Sequence, residues 1–306
     1  MIDRTRHDGR FRAVVVALVL SGPFGASGIL PGEPGRLEIV PLESQIFGNN
    51  RNLRIWLPDE YDDPGNSRKS YPVLYLNDGQ NLFDSATALL GTSEWRVDET
   101  MASLLGAGEV APVIVVGIDN AGRRGRAREY LPYPDEFLEP PEPNPAGHLY
   151  GDFLAEEVIP LVEQRYRTLR GRGGRVLGGS SYGALVSLHV VVSRSDLFSG
   201  LLLESPSFYV DDAHILQDAS AADLDIERIY VGVGTNELAL EGCPDHAGNR
   251  EPVNDVRRFA EILLAAGMGE DQILVRIEEC AVHDEDAWAR RLPDALRFLF
   301  PAEPLS

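Results

Sequence analysis

Apolar positions along the chain recur in two rhythms. Short runs that are almost wholly apolar fall at 37–40, 53–57, 73–77, 113–119, 175–177, 200–203, 228–233 and 273–277. Their lengths, and the glycines and polar residues that bound them, predict strands. From Val73 onward most of these runs lack the apolar–polar alternation of a half-exposed strand, which predicts strands covered on both faces. The first two runs are joined through "ESQIFGNNRN", where Gly48-Asn49-Asn50 reads as a hairpin turn.

The second rhythm is helical. Residues 150–165 place Phe153, Leu154, Val158, Leu161 and Val162 on one face. Residues 253–266 do the same with Val256, Phe259, Ile262 and Leu263, and Gly267 ends the run. Residues 286–300 keep Trp288, Leu292, Leu296 and Leu299 together. Strands and helices in alternation predict an α/β architecture in a single domain over 37–301. Its sheet is open and mostly parallel, with an antiparallel N-terminal hairpin and helices on both faces. No internal repeat interrupts the pattern.

Two segments fit neither rhythm. "LPYPDEFLEPPEPNPAG", residues 131–147, is too rich in proline and acid for a helix or a central strand. A stretch this long without regular structure reads either as a cover over a site or as a passive surface insertion. At the N-terminus, Arg4, Arg6, Arg10 and Arg12 precede an apolar run at 13–20, and small residues follow. Residues 1–28 are therefore expected to be a leader. They read either as a secretory signal, which implies a secreted or periplasmic protein, or as a disordered or mis-started leader, which implies a cytoplasmic one. The run is far shorter than the about 20 apolar residues that span a bilayer, so no integral membrane segment is predicted.

Charge narrows the partners. The 306 residues include 48 acidic and 28 basic side chains, a formal net charge of −20. Such a field repels nucleic-acid phosphates, so no nucleic-acid partner is expected. Otherwise the excess of acid reads as a solvated surface. The only two cysteines, Cys243 and Cys280, stand in no zinc-binding spacing, and the chain has neither an H-E-x-x-H helix nor an EF-hand loop, so no metal is expected. Asp211-Asp212 reads as a polar helix start rather than as a ligand pair. Oligomeric state is not legible.

The candidate chemistry lies in "VLGGSSYGALVSL", residues 176–188. A strand ends at the first glycines and a helix begins at once, with Leu185, Leu188 and Val192 on one face. That strand–turn–helix setting is what a nucleophile elbow needs. The residues two before and two after a serine in so sharp a turn must lack bulk. Gly179 and Gly183 satisfy this for Ser181; for Ser180 the later position is Tyr182, which does not fit. Ser181 is the expected nucleophile, and Ser180 a small packing residue.

A serine hydroxyl needs a base, and in elbows of this kind acid and histidine follow the serine along the chain. His214, His246 and His283 lie far enough downstream. His283 follows the last strand after a short loop, at the carboxyl edge where a site should assemble, and is the expected base. Glu237, just past the strand at 228–233, is the expected acid, with Asp245, Asp255 and Glu204 open as alternatives. Oxyanion donors are expected from the backbone N–H of Tyr182 and, in "NDGQNLFD", from that of Gln80, where Gly79 lets the backbone turn. Trp95, Arg124, Tyr130 and Trp288 are candidates to line a substrate site.

Six segments in this order, "YPVLYLNDGQNLFD", "VIVVGIDN" with "REYLP", "EVIPLVEQRY", "GGSSYGALVSL", "VGVGTNE" and "VHDEDAWARRLPDALRFL", resemble the putative esterase family. That is the esterase D-like branch of the α/β-hydrolases, with enterochelin-esterase-like and carbohydrate-esterase-like members. The resemblance runs from about Leu37 to the C-terminus. It implies an α/β-hydrolase fold, hydrolysis of carboxylic esters without a cofactor, and a site of Ser181, His283 and an acid near Glu237. The chain departs from the family at Ala184, often glycine, and at Glu237, often aspartate. The implied partner is a small-molecule or glycan-linked ester: short acyl, feruloyl or acetyl on polysaccharide, or siderophore. Two other readings stand beside hydrolysis: acyl transfer through the same acyl-enzyme, and a non-catalytic ligand-binding member of the fold. In an exported chain, a disulfide between Cys243 and Cys280 would tether the loops that carry acid and base; otherwise the two are unrelated small apolar residues.

Overall fold

The computed structural model describes residues 35–89, 93–243 and 245–302; the expected leader, 1–28, lies outside them. Eight strands form one sheet: β1 (Arg36–Ser44), β2 (Asn49–Leu57), β3 (Val73–Asn77), β4 (Ile114–Ile118), β5 (Arg175–Ser180), β6 (Gly200–Glu204), β7 (Arg228–Gly234) and β8 (Ile273–Glu278). Their spatial order is β1-β2-β4-β3-β5-β6-β7-β8. β1 and β2 pair antiparallel, as do β2 and β4; every later pair is parallel. The result is the expected α/β architecture with its antiparallel N-terminal hairpin.

Helices α1 (Val97–Gly106), α2 (Gly122–Tyr130), α3 (Tyr150–Phe153), α4 (Ile159–Arg165), α5 (Tyr182–Ser193), α6 (Val210–Ala221), α7 (Ala247–Ala265) and α8 (Glu285–Leu299) complete the fold. Strand alternation distributes the core between the two faces of the sheet. β4 sends Ile114, Val116 and Ile118 into the larger core and Val115 into the smaller. The larger core takes the apolar faces of α3 to α7, and the smaller those of α1 and α8. β3, β4 and β6 are buried at every position, the reason their sequences show no alternation.

Local differences from the sequence reading have physical causes. The register pairs Ser44 with Asn49, so the hairpin turn is residues 45–48, and Asn49 and Asn50 are already strand. Polar side chains hold this turn: Glu157 Oε1 accepts the N–H groups of Gln45 and Ile46 (2.8 and 2.9 Å), and Ser44 Oγ accepts that of Phe47 (3.0 Å). The helical pattern at 150–165 is interrupted by a π-turn, Leu154–Val158, between α3 and α4. Pro160, two residues past its end, has no N–H for the carbonyl four residues back, so the preceding turn widens. α7 begins at Ala247 rather than 253; the His246 ring caps it by accepting the Gly248 N–H, and Pro252 lies inside it. The Asp211-Asp212 pair does stand at a helix start, but with Ala213 it takes positive φ and kinks α6.

The hairpin is fastened to the rest by a buried ion pair. Arg51 on β2 meets Glu129 on α2 at 2.8 Å, both side chains at most 1% exposed, and the Arg51 guanidinium lies 4.7 Å from the Phe153 ring centroid. Asn49 donates to the same carboxylate at 2.6 Å. Removing one partner strands the other charge away from water. Arg51→Ala is therefore expected to lower the unfolding free energy by about 3 kcal/mol in chemical denaturation; a loss under about 1 kcal/mol would show that water reaches the orphaned Glu129.

Candidate active site

The carboxyl ends of β3, β5, β6 and β7 bring the candidate residues to one edge of the sheet, where parallel α/β sheets place their sites. β5 ends at Ser180, and Ser181 turns the chain into α5 with φ 56° and ψ −125°. The turn closes because its neighbours lack side chains: a Cβ on Gly179 would lie 2.9 Å from the Gly183 carbonyl carbon, and one on Gly183 3.2 Å from Asn77. Asn77, the last residue of β3, locks the helix start by donating to Gly183 O and Ser187 Oγ, both at 3.0 Å, while accepting from Tyr150 at 2.6 Å. Ser181 Oγ approaches Ser207 Oγ at 3.3 Å.

His283 stands in the loop between β8 and α8. Its Nδ1 is 2.6 Å from Glu237 Oε2. The other carboxylate oxygen accepts the Gly234 N–H (2.6 Å) and Ser205 Oγ (2.8 Å), and the Glu237 side chain is 5% exposed. With Nδ1–H donated to the carboxylate, Nε2 is left as the lone-pair nitrogen. Burial pushes the Glu237 carboxyl up, but the bonds from His283, Gly234 and Ser205 outweigh it and hold the group below its ordinary range.

Among the alternatives, Glu204 is fully buried and engaged by Arg291, whose Nε and terminal nitrogen reach Oε2 at 2.9 and 2.6 Å. Burial raises its carboxyl to about 7 in spite of that arginine. Asp245 is exposed and faces Arg250 at 3.5 Å, and Asp255 lies on α7. Of the four candidate acids, only Glu237 reaches His283.

Ser181, Tyr182, His283, Arg124 and Trp288 line one cavity of about 820 Å³. Within it, Ser181 and His283 share no direct hydrogen bond; such contacts are often long before substrate binds. The Trp288 ring packs edge-on against His283 (5.3 Å between centroids). Residues 138–143 of the proline-rich segment line the same cavity, and the segment's base is pinned by Ala146 N–H on Arg128 O and Gly147 N–H on Leu131 O.

Trp95 and Tyr130 do not line this space. Trp95 is buried behind Trp288, 5.6 Å between centroids, and Tyr130 is fully buried, its hydroxyl accepting the Asp78 N–H at 3.2 Å. Both shape the site from behind. Gln80 lies in a 3₁₀ turn after β3, buried, with its side chain accepting the Asn120 N–H at 3.1 Å. Gly79 is required there, because a Cβ would sit 2.6 Å from the Gly117 backbone. Among the described residues, the backbone N–H groups of Gln80 and Tyr182 find no acceptor. That of Tyr182 opens α5, where the helix dipole favours negative charge.

Several site residues escaped the sequence reading. Asp78 lines the cavity in left-handed backbone (φ 59°), held by Arg126 at 2.8 and 2.7 Å and by Asn120 at 2.6 Å. Glu285 lines it two residues after His283, accepting from Asn81 at 2.9 Å, and burial raises its carboxyl. Ser205 and Ser207 follow β6. The edge rule that points to Glu237 applies equally to the serines of "ESPS", residues 204–207.

A serine on a strained strand–helix turn, followed along the chain by an acid and a histidine at the carboxyl edge of this sheet, defines the α/β-hydrolase class. The family model described as "Putative esterase" matches residues 44–299. The chain belongs to that esterase family. It is 24% identical over 262 residues to the uncharacterized protein YbbA of Bacillus subtilis (strain 168), covering 84% of this chain and 95% of that one. It is 24% identical over 292 residues to the iron(III) enterobactin esterase of Dickeya dadantii (strain 3937), covering 90% of this chain but 57% of that relative. A solved ferulic acid esterase superposes with a TM-score of 0.63 at 19% identity, over 88% of this chain and 98% of that one, a likeness of fold.

Cys243 and Cys280 are joined in a disulfide across 37 positions, tying the loop after Glu237 to the loop before His283. Replacing both by serine is expected to cost about 2–4 kcal/mol of stability. The wild-type chain should take up iodoacetamide only after reduction, as intact mass will show.

The depressed Glu237 carboxyl gives a second expectation. The unfolded chain binds this proton more readily than the folded one, so the carboxylate contributes stability above the ordinary value of about 4.3 and loses it as pH falls through the lower folded value. The stability gap between wild type and Glu237→Gln should narrow as pH falls below about 4. A gap unchanged down to pH ~3 would contradict this.

Proposed function

We propose that this protein is a serine carboxylesterase that works through an acyl-enzyme. Ser181 Oγ attacks the ester carbonyl carbon while His283 Nε2 takes its proton. Glu237, ionised and hydrogen-bonded to Nδ1, holds the imidazole in the required tautomer and stabilises the imidazolium as it forms. The developing oxyanion is received by the N–H groups of Tyr182 and Gln80. His283 then returns the proton to the leaving alcohol, and water repeats the sequence to release the acid. Each step uses groups of this chain alone.

The observation that carries this reading is His283, paired with Glu237 at 2.6 Å, lining one cavity with a serine in strained elbow geometry. Non-glycine residues seldom occupy such backbone, and where they do the strain marks function more often than packing. A cavity of about 820 Å³ has room for more than an acetyl ester. The named relatives point to siderophore and feruloyl esters, and both belong in a substrate panel beside sugar acetates.

Ser181→Ala is expected to keep the fold and to lower hydrolysis of p-nitrophenyl acetate by at least about 1,000-fold. A fluorophosphonate probe should label the wild-type protein at Ser181 and leave the variant unlabelled. Hydrolysis that survives the substitution refutes the assignment.

A further inference from the structure

The acid is held by more than the histidine. Ser205, buried at 3% exposure directly after β6, donates to Glu237 Oε1 at 2.8 Å. The same hydroxyl oxygen accepts from Trp288 Nε1 at 2.9 Å and from an Arg291 terminal nitrogen at 3.4 Å. Tryptophan and arginine nitrogens only donate, and a serine hydroxyl has one hydrogen and two lone pairs. With both lone pairs facing donors, the hydroxyl hydrogen has one direction left, toward Glu237. Glu237 Oε1 then receives two donors, Ser205 and the Gly234 N–H, which leaves Oε2 for His283 Nδ1–H.

The backbone at Ser205 is unusual in the same way as at the elbow. Its φ is 42°, a region that favours glycine, and it precedes Pro206, which steers the residue before it toward extended backbone. A serine kept there against both preferences points to a use for its hydroxyl. The segment also touches the nucleophile: Ser207 N–H donates to Ser181 O at 3.4 Å, and the Ser181 N–H donates to Glu204 O at 3.0 Å.

We infer that Ser205 is a positioning residue for the reaction proposed above: it turns a one-way chain of donors from Arg291 and Trp288 onto Glu237, and so fixes the carboxylate that sets the tautomer of His283. It touches no substrate and acts only through the acid. The charged groups around this chain are Arg291 and Glu285 of α8, Glu204 at the end of β6, and Glu278 of β8, the last held by Arg291 at 2.9 Å.

The inference rests on the esterase reading, and its test separates the two. Ser205→Gly removes the hydroxyl and suits the positive φ, so this variant should fold; Ser205→Ala removes the hydroxyl with the Cβ kept. In both, kcat for p-nitrophenyl acetate is expected to fall roughly ten- to hundredfold with KM nearly unchanged. A carboxylate that has lost a donor is more basic and holds the imidazolium more strongly, so the acidic limb of kcat/KM should move to higher pH. The His283 imidazole titration, followed by NMR, should move in the same direction, a readout that needs no turnover. A folded Ser205→Gly protein with unchanged kcat and an unmoved imidazole titration overturns the inference. If the wild type neither hydrolyses the ester nor takes the fluorophosphonate, the esterase reading fails, and the imidazole titration still decides whether Ser205 sets the state of the pair.

Discussion

A non-glycine residue at φ 56° and ψ −125° is costly backbone, and the fold is arranged so that Ser181 has no alternative. β5 is buried at every position but its first, and the helix that follows is buried on nearly every side, so neither can shift to relax the turn between them. Gly179 and Gly183 permit the close approach, and Asn77 fastens the helix start to the neighbouring strand. The hydroxyl is presented above the sheet edge because the chain reverses there. Every other feature of the site is built up to that point.

Strain is shared along the same edge. Asp78 after β3, Ser181 after β5 and Ser205 after β6 all take positive φ, each at the carboxyl end of a central parallel strand. Each also has its side chain in a specific polar bond: Asp78 to Arg126, Ser181 to Ser207, Ser205 to Glu237. A parallel sheet gives its strands one direction, so these reversals fall side by side. Packing of the central strands supplies the rigidity that makes three such residues tolerable within a few ångströms of one cavity.

Much of this was legible in the chain. All eight strands fell where apolar runs stood, with 73–77 matching β3 at both ends, because buried parallel strands leave an uninterrupted apolar signature. Ser181 was singled out by the glycines around it and His283 by chain order and the edge rule, whereas Glu237 stood beside Asp245, Asp255 and Glu204 until the fold brought it alone of these to His283. α2 was not, since "GRRGRAREY" has no apolar stripe and is held by Glu129 on Arg51 and Tyr130 under Asp78, contacts made with residues 78 and 52 positions away. Trp95 and Tyr130 were misplaced for a related reason: an aromatic residue near a site in sequence gives no sign of which side of the wall it occupies. Ser205 was hidden because its role exists only where α8 returns across the sheet.

α8 shows how one helix face carries two kinds of information. Leu292, Ala295, Leu296 and Leu299 close the smaller core, and that burial sets the helix's position and rotation. Trp288 and Arg291, at helical spacing on the buried side, are thereby aimed with no freedom of their own: the indole bears on His283 and Ser205, and the guanidinium neutralises Glu204. Glu204, fully buried at the end of the strand beside the elbow, has its carboxyl raised by that burial, and Arg291 draws it back down, so the guanidinium sustains charge on a group that burial alone favours protonated. Arg291 thus pairs with Glu204 and still lends a donor to Ser205. The apolar residues that the periodicity reveals thus act on the chemistry at one remove: they fix the orientation of two donors whose importance no periodic pattern could indicate.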